Sequence, residues 1–317
     1  MIRPLFALSS ALLLVSAVGC ENQNSLAAGG PCEGASAIQA APVQRLPSGR
    51  DLWSRSNGDK VYRPNEGELT ATANAAVSID ALLEAMDVDL ELIETKSITG
   101  NPSQAGIFTA MGVLEPTEGD TMAWISTGVA GAGTDQSVDP SAFGTQEGTD
   151  FYALCPGSDI FENPEWDCVT LAVGFEVPSG MHSVRFDFAF MSTEYPEFVN
   201  LGFNDEFTVS MSSGTNNYDN IVFDDNGNMV NIDSAFFDEP CSGLAGTGFD
   251  LDDGFGGCDA GGTGLLSTIA PVEPGETVTL KFNLRDRGDG IYDSGLMIDN
   301  LAVRSTDVDE PETDPCS

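Results

Sequence analysis

A chain of 317 residues in which 12 Lys and Arg face 50 Asp and Glu has a formal net charge of −38. That balance excludes nucleic acid as a partner class, because displacing counterions from phosphates takes a basic surface. A field of one sign instead gathers cations and keeps an extracellular surface solvated. Seven cysteines without a C-x-x-C spacing, and a single histidine, His182, leave zinc without its usual ligands.

In chain order, residues 1–19 read as a signal peptide. Met1-Ile2-Arg3-Pro4 precedes an apolar run from Leu5 to Val18, which closes in Ala17-Val18-Gly19-Cys20. Small residues ahead of Cys20 admit a signal peptidase, and the Cys20 thiol is then the lipid acceptor; Ala17 stands where a lipobox more often has Leu. The competing reading is an ordinary signal peptide cut near Ala17, with Cys20 in a disulfide. The run is shorter than the roughly 20 residues a bilayer demands, so the expected location is the cell envelope, lipid-anchored at the outer membrane or cell surface. Residues 20–70 form a polar tether with too little apolar surface to offset chain entropy.

Setting Cys20 aside leaves six cysteines, an even number that in an exported chain reads as disulfides. The short spacings favour Cys155 with Cys168 and Cys241 with Cys258, which leaves Cys32 and Cys316 to tie the ends together.

Residues 71–306 are the size of one domain, and their signals are mostly period two. Ser78 to Asp87 is the exception: Ser78 is a capping residue, and Ile79, Leu82, Leu83 and Met86 share one helical face. Strands follow at Met122–Ser126 and Val169–Val177, the second stopped by Pro178-Ser179-Gly180. Val184, Phe186, Phe188 and Phe190 resume the alternation at once, with Arg185 and Asp187 on the opposite face, so the two segments are expected to form a hairpin. Further strands are expected at Phe207–Met211, Ile221–Phe223, Met229–Ile232, Val278–Leu284 and Leu296–Val303, with Asn226-Gly227 as a hairpin turn. Gly243 to Gly264 reads as a long surface loop stapled by its disulfide, and residues 307–317 as an acidic tail. The fold class is all-β: an antiparallel two-sheet sandwich, jelly-roll-like, with one short helix near its start.

Two segments concentrate acids where Phe-rich strands give way to loops. The first runs from Met191 through Ser192-Thr193-Glu194-Tyr195-Pro196-Glu197-Phe198 to Asn204-Asp205-Glu206-Phe207, and the second from Arg285 through Asp286, Asp289 and Asp293 to Ser294. Calcium takes six to eight oxygen ligands from loops that turn sharply, and Gly288 and Gly290 allow such a turn. Asp286, Asp289 and Asp293 are therefore candidate calcium ligands, with Glu194, Asn204 and Asp205 joining from the other loop. Without a cation their mutual repulsion raises at least one pKa. The bland reading is that Asp286 and Asp293 cap turns, Asp289-Gly290 is a β-turn, and Glu194 pairs with Arg185 or Arg285.

Other motifs carry less. Asp250-Leu251-Asp252-Asp253-Gly254 starts like an EF-hand loop, but Gly261 stands where the closing glutamate belongs. Asp224-Asp225-Asn226-Gly227 is a turn. No G-x-S-x-G, H-E-x-x-H or P-loop occurs, and a triad around His182 lacks a recognisable nucleophile.

The acidic segments resemble the choice-of-anchor L domain family of bacterial surface proteins. The resemblance rests on Ser192-Thr193-Glu194-Tyr195-Pro196-Glu197-Phe198-Val199, on Phe203-Asn204-Asp205-Glu206-Phe207 and on Asp286 through Ser294, with Ile125-Ser126-Thr127-Gly128 upstream, and it spans about Ile79 to Val303. It implies export and surface attachment, here through Cys20, without implying an activity. Thr193 departs from the pattern by standing where an acid is usual before Glu194, which removes one oxygen ligand. The expected function is a lipid-anchored surface binding or adhesion module, stabilised by calcium, whose partner is a glycan or a surface protein. The rivals are a glycan-acting hydrolase with paired carboxylates, which needs a groove with aromatic platforms, and a purely structural envelope protein. Only three tryptophans exist, Trp53, Trp124 and Trp166, and two lie away from the acidic segments, which favours the module.

Overall fold

The computed structural model describes residues 77–128, 130, 153–161, 164–250, 257–288, 290 and 292–316, and the backbone of short strands at 52–54 and 60–62. The expected signal peptide, Cys20, Cys32 and Asp289 lie outside the described residues. In chain order the elements are β1 (Leu52–Ser54), β2 (Lys60–Tyr62), α1 (Ile79–Glu84), β3 (Ile93–Thr99), β4 (Ala105–Phe108), β5 (Met122–Ser126), β6 (Glu165–Glu176), β7 (Ser183–Ser192), β8 (Glu206–Ser212), β9 (Asn217–Tyr218), β10 (Glu239–Pro240), β11 (Gly261–Gly262), β12 (Leu266–Pro271), β13 (Thr277–Arg287), β14 (Ser294–Arg304) and β15 (Glu312–Pro315). β1 pairs with β2 alone.

The rest form two antiparallel sheets, the sandwich that the period-two signals require. The smaller has the order β3-β6-β13-β8-β9, and the larger β10-β11-β7-β14-β5-β4, with β12 beside β7 and β15 outside β12. The alternating residues of both sheets meet in one core: Val169, Leu171, Val173 and Phe175 of β6 and Val278, Leu280, Phe282 and Leu284 of β13 face Val184, Phe186, Phe188 and Phe190 of β7. Ring centroids lie 5.0 Å apart both for Phe186 with Phe282 and for Phe188 with Phe207. Each such buried side chain contributes about 1.5–3 kcal/mol, so the aromatic row of β7 is a large part of what clamps the sheets.

α1 forms where the pattern placed it. The Ser78 hydroxyl accepts from Ala81 N–H, Leu82 and Leu83 are buried, and the helix ends before Asp87, which turns left-handed at φ 59°. No helix among the described residues is long and apolar enough to cross a membrane.

Three expectations are corrected. β6 and β7 do not form a hairpin: β6 pairs with β3 and β13, while β7 pairs with β11, β12 and β14. The connection is held by a different sheet at each end, Val177 N–H donating to Glu276 O and His182 N–H to Arg304 O. The chain thus crosses between layers, which sets the two apolar faces against each other instead of side by side. Second, the Asn226-Gly227 turn forms, with Gly227 at φ 78°, but its flanks keep only isolated bridges, Phe223 to Met229 and Glu206 to Asn231. Asp224 accepts from the N–H groups of Asn226, Asn228 and Ala235, and Asn220 from those of Val209 and Val222. Side chains so placed supply hydrogen bonds that compete with a regular ladder.

Third, the described parts of Gly243–Gly264 are not simply surface. Leu244, Phe249 and Ala260 are fully buried in a second core with Phe108, Trp124, Met191 and Met297 on the outer face of the larger sheet. β7 and β14 are therefore covered on both sides, and Met191 and Met297 point into this second core while their neighbours serve the first. The Cys241–Cys258 disulfide closes this covering segment, and Cys155–Cys168 forms as well. Cys316 is also disulfide-bonded, and the acidic tail contributes β15 to the larger sheet.

Candidate functional site

Two connections cross between the sheets at the same end of the sandwich. Residues 193–205 lead from β7 of the larger sheet to β8 of the smaller, and residues 288–293 lead from β13 of the smaller to β14 of the larger. Both carry acids, and the crossing draws Glu194, Asp205 and Asp293 into the seam between layers. The connections touch directly: Thr193 donates through its N–H (3.2 Å) and its hydroxyl (3.1 Å) to the Asp293 carbonyl.

The hydrogen bonds run inward from there. Asp205, fully buried, accepts from Arg287 N–H at 3.0 Å and from the Ser294 hydroxyl at 2.6 Å, while its own N–H donates to Glu194 Oε2 at 3.2 Å. Glu194 N–H in turn donates to the Ser192 hydroxyl. The Asp293 carboxylate lies against Gly128, where a Cβ would come within 2.0 Å of its Oδ2. Asp286 stands opposite Trp166 in the β6–β13 ladder, beside an irregularity after Leu284.

Glu194, Asp205, Asp286 and Asp293 are all at most 4 % exposed. Asp286 Oδ1 is buried with no hydrogen-bond partner. The two arginines of this segment are committed outward: Arg285 and Arg287 both pair with Glu165 and Glu206, and Arg287 gives the cluster only its backbone N–H.

Burial pushes the Asp205 carboxyl up to about 7, against the hydrogen bonds of Ser294 and Arg287 N–H and of the Asp286 and Glu194 side chains, which pull it down. Asp286 is raised well above the usual carboxylate range, first by burial and then by the charges of Asp205, Asp293 and Asp167, with the Thr127 hydroxyl opposing. Desolvated like charges cannot all stay ionised, so the junction takes up either protons or a cation.

Of the six candidate ligands, the fold gathers Glu194, Asp205, Asp286 and Asp293, and Asp289 lies outside the described residues. Asn204 donates its amide nitrogen to Asp233 Oδ2 at 2.9 Å, while its Oδ1 is buried with no hydrogen-bond partner. Arg185 forms an ion pair with Asp187, and Arg285 with Glu165 and Glu206. Among the described residues no three His, Cys, Asp or Glu side chains already form a metal cage.

Asp167 belongs to the cluster although the sequence reading missed it. It is buried at φ 49°, and its Oδ1 accepts from Ala153 N–H. Its signal was an acid interrupting the apolar alternation between Trp166 and Cys168. Thr127 and Ser294, whose hydroxyls face Asp286 and Asp205, stood within the stretches that carry the family resemblance but not among the candidate ligands. A separate groove of about 480 Å³, lined by Phe223, Asp224, Asp225, Gly227 and the 311–314 strand edge, shares no residue with the junction.

No curated protein matches the chain in sequence. Among solved structures it is similar to a carbohydrate-binding module in complex with β-1,4-galactotriose, at TM-score 0.27 and 11 % identity over 68 % of this chain and 92 % of that one. It is also similar to the enzymatically active domain of tailspike protein 4 of bacteriophage CBA120, at TM-score 0.24 and 12 % identity over 66 % of this chain and 19 % of that one. The sequence pattern of the choice-of-anchor L domain matches residues 77–303, more than half of the chain and nearly all of the sandwich just described, so the protein belongs to that family of exported cell-surface proteins.

Proposed function

We propose that the chain is a lipid-anchored binding or adhesion module of the bacterial cell envelope, held through Cys20 at the outer membrane or cell surface. The observation that carries the binding half is where the fold puts its acids. A glycosidase needs two carboxyl groups flanking a bond that substrate can bring to them, whereas Glu194, Asp205, Asp286 and Asp293 are at most 4 % exposed. What remains for recognition is the outer surface of the domain. The anchoring half is supported by the Leu5–Val18 run and the small residues before Cys20. Two closed disulfides suit an oxidising compartment outside the cytoplasm.

Two measurements test the reading. Cells fed labelled palmitate should incorporate it into the wild-type protein and not into Cys20→Ala, and an unlabelled wild type removes the anchor. The mature chain applied to arrays of glycans and envelope proteins should show saturable binding. Release of sugar from any of those glycans would overturn the module in favour of a hydrolase, and an absence of binding would leave a structural envelope component.

A further inference from the structure

The surface recognition proposed above makes no use of the acidic junction. Around Asp286 the fold assembles Asp205, Asp293 and Asp167 closely enough for their charges to act on it, with Glu194 joined to Asp205 through a backbone hydrogen bond. The nearby arginine side chains serve Glu165 and Glu206 instead. An acidic cluster alone is weak evidence, since the chain has 50 acids. Independent support comes from one atom: Asp286 Oδ1, on a side chain 2 % exposed, is buried with no hydrogen-bond partner. A buried carboxylate oxygen left in this way costs several kcal/mol unless a proton or a cation answers it.

We propose that this junction is a calcium site, with Asp286 Oδ1 as its central ligand and the carboxylates of Asp205, Asp293 and Glu194 around it. The donor chemistry selects the ion. All available groups are oxygens, which suits a hard cation, and they come from two connections and a strand end, whose combined freedom suits the six to eight ligands of calcium better than the rigid octahedron of magnesium. Asp205 and Asp286 lie within hydrogen-bond reach of each other, so one cation can be held by both. Because residues 193–205 and 288–293 both cross between the sheets, an ion held by both would tie the two layers together at that end. The site is independent of what the outer surface binds and of how the chain is anchored.

The test uses the full mature chain with Cys20→Ala, stripped with chelator and then titrated with calcium chloride at neutral pH. Calorimetry should show one strong site per chain, and a hundredfold excess over Kd should raise the melting temperature by about 5–10 °C. Asp286→Asn should lose the strong site and the calcium-dependent shift, yet melt in chelator no lower than the parent, because it removes a buried charge. Asp309→Asn, on an exposed loop, should change neither.

Terbium reports the location separately. Trp166 lies opposite Asp286 in the ladder, so bound terbium should emit when tryptophan is excited and calcium should quench the emission by competition. Trp166→Phe should abolish the emission while leaving calcium affinity intact. A wild type that neither binds calcium nor shifts overturns the proposal. So does an Asp286→Asn that keeps full affinity or, should that variant not fold, a terbium signal insensitive to Trp166→Phe.

Discussion

At one end of the β7–β14 ladder Asp187 is fully buried, and Arg185 reaches its Oδ1 at 3.1 and 3.3 Å while Asn300 donates to its Oδ2 at 2.9 Å. Arg304 completes the set by donating to Asn300 Oδ1 at 2.9 Å. At the other end of the same two strands Asp205, Asp286, Asp293 and Glu194 are buried as deeply, but the arginines in reach are turned to Glu165 and Glu206. The difference teaches that burial of charge here is not one device used twice: Asp187 is answered by Arg185 and Asn300, whereas Asp286 Oδ1 is buried with no hydrogen-bond partner.

The sharpest way to break that comparison is to remove an acid from each end. Asp187→Ala strands Arg185 in a low-dielectric interior and should cost about 3–5 kcal/mol in chemical denaturation, whereas Asp286→Asn in chelator should cost nothing. Equal losses would mean that both ends are ordinary ion-pair networks. Next in size is the covering segment that buries the outer face of the larger sheet. Replacing Cys241 and Cys258 together by Ser should cost about 3 kcal/mol and expose Trp124, seen as a red shift of its fluorescence.

A smaller loss, about 2 kcal/mol, should follow Gly112→Ala, since a Cβ there would sit 2.2 Å from the Ala245 carbonyl at a φ of 57°. That substitution leaves the junction untouched, so calcium affinity should not change.

The smallest effect concerns a third buried acid. Asp299 accepts from the N–H groups of Thr117, Glu118 and Asn300 and is still raised well above the usual range, first by burial and then by the charge of Asp87. A raised carboxyl holds more protons in the folded chain than in the unfolded one. Its stabilising contribution is therefore present at the acid end, below the unfolded value of 3.8, and is lost as pH rises through the folded value. Asp87→Asn removes the repelling charge and keeps a residue that tolerates the left-handed φ of 59°. It should raise stability at pH 7 by under about 1 kcal/mol and flatten this loss; a pH profile identical to the parent's would contradict the coupling.

Much of the fold was legible because the alternation in Val169–Val177, Val184–Phe190 and Val278–Leu284 admits little besides half-buried strands. The partner of each strand was not, because alternation fixes which face is buried without fixing what covers it. β6 and β7 read equally well as a hairpin or as facing layers, and only the separate anchoring of Val177 and His182 decides. Arg185 and Asp187 looked like an exposed face for the same reason, since nothing local announced that residues far along the chain would cover them. At the junction, Glu194, Asp205, Asp286 and Asp293 were legible through their acid-rich connections. Asp167 was hidden in a strand, and the bond from the Asn204 amide nitrogen to Asp233 is one that only the folded loop provides.

The most direct measurement of the central claim is a crystal structure of the mature chain grown with calcium chloride, with anomalous scattering collected to identify any ion. A single calcium peak in the seam, with Asp286 Oδ1 and at least two other carboxylate oxygens at about 2.3–2.6 Å, is the predicted result. Asp205 and Asp286 in direct contact, with no peak between the crossings, would contradict it.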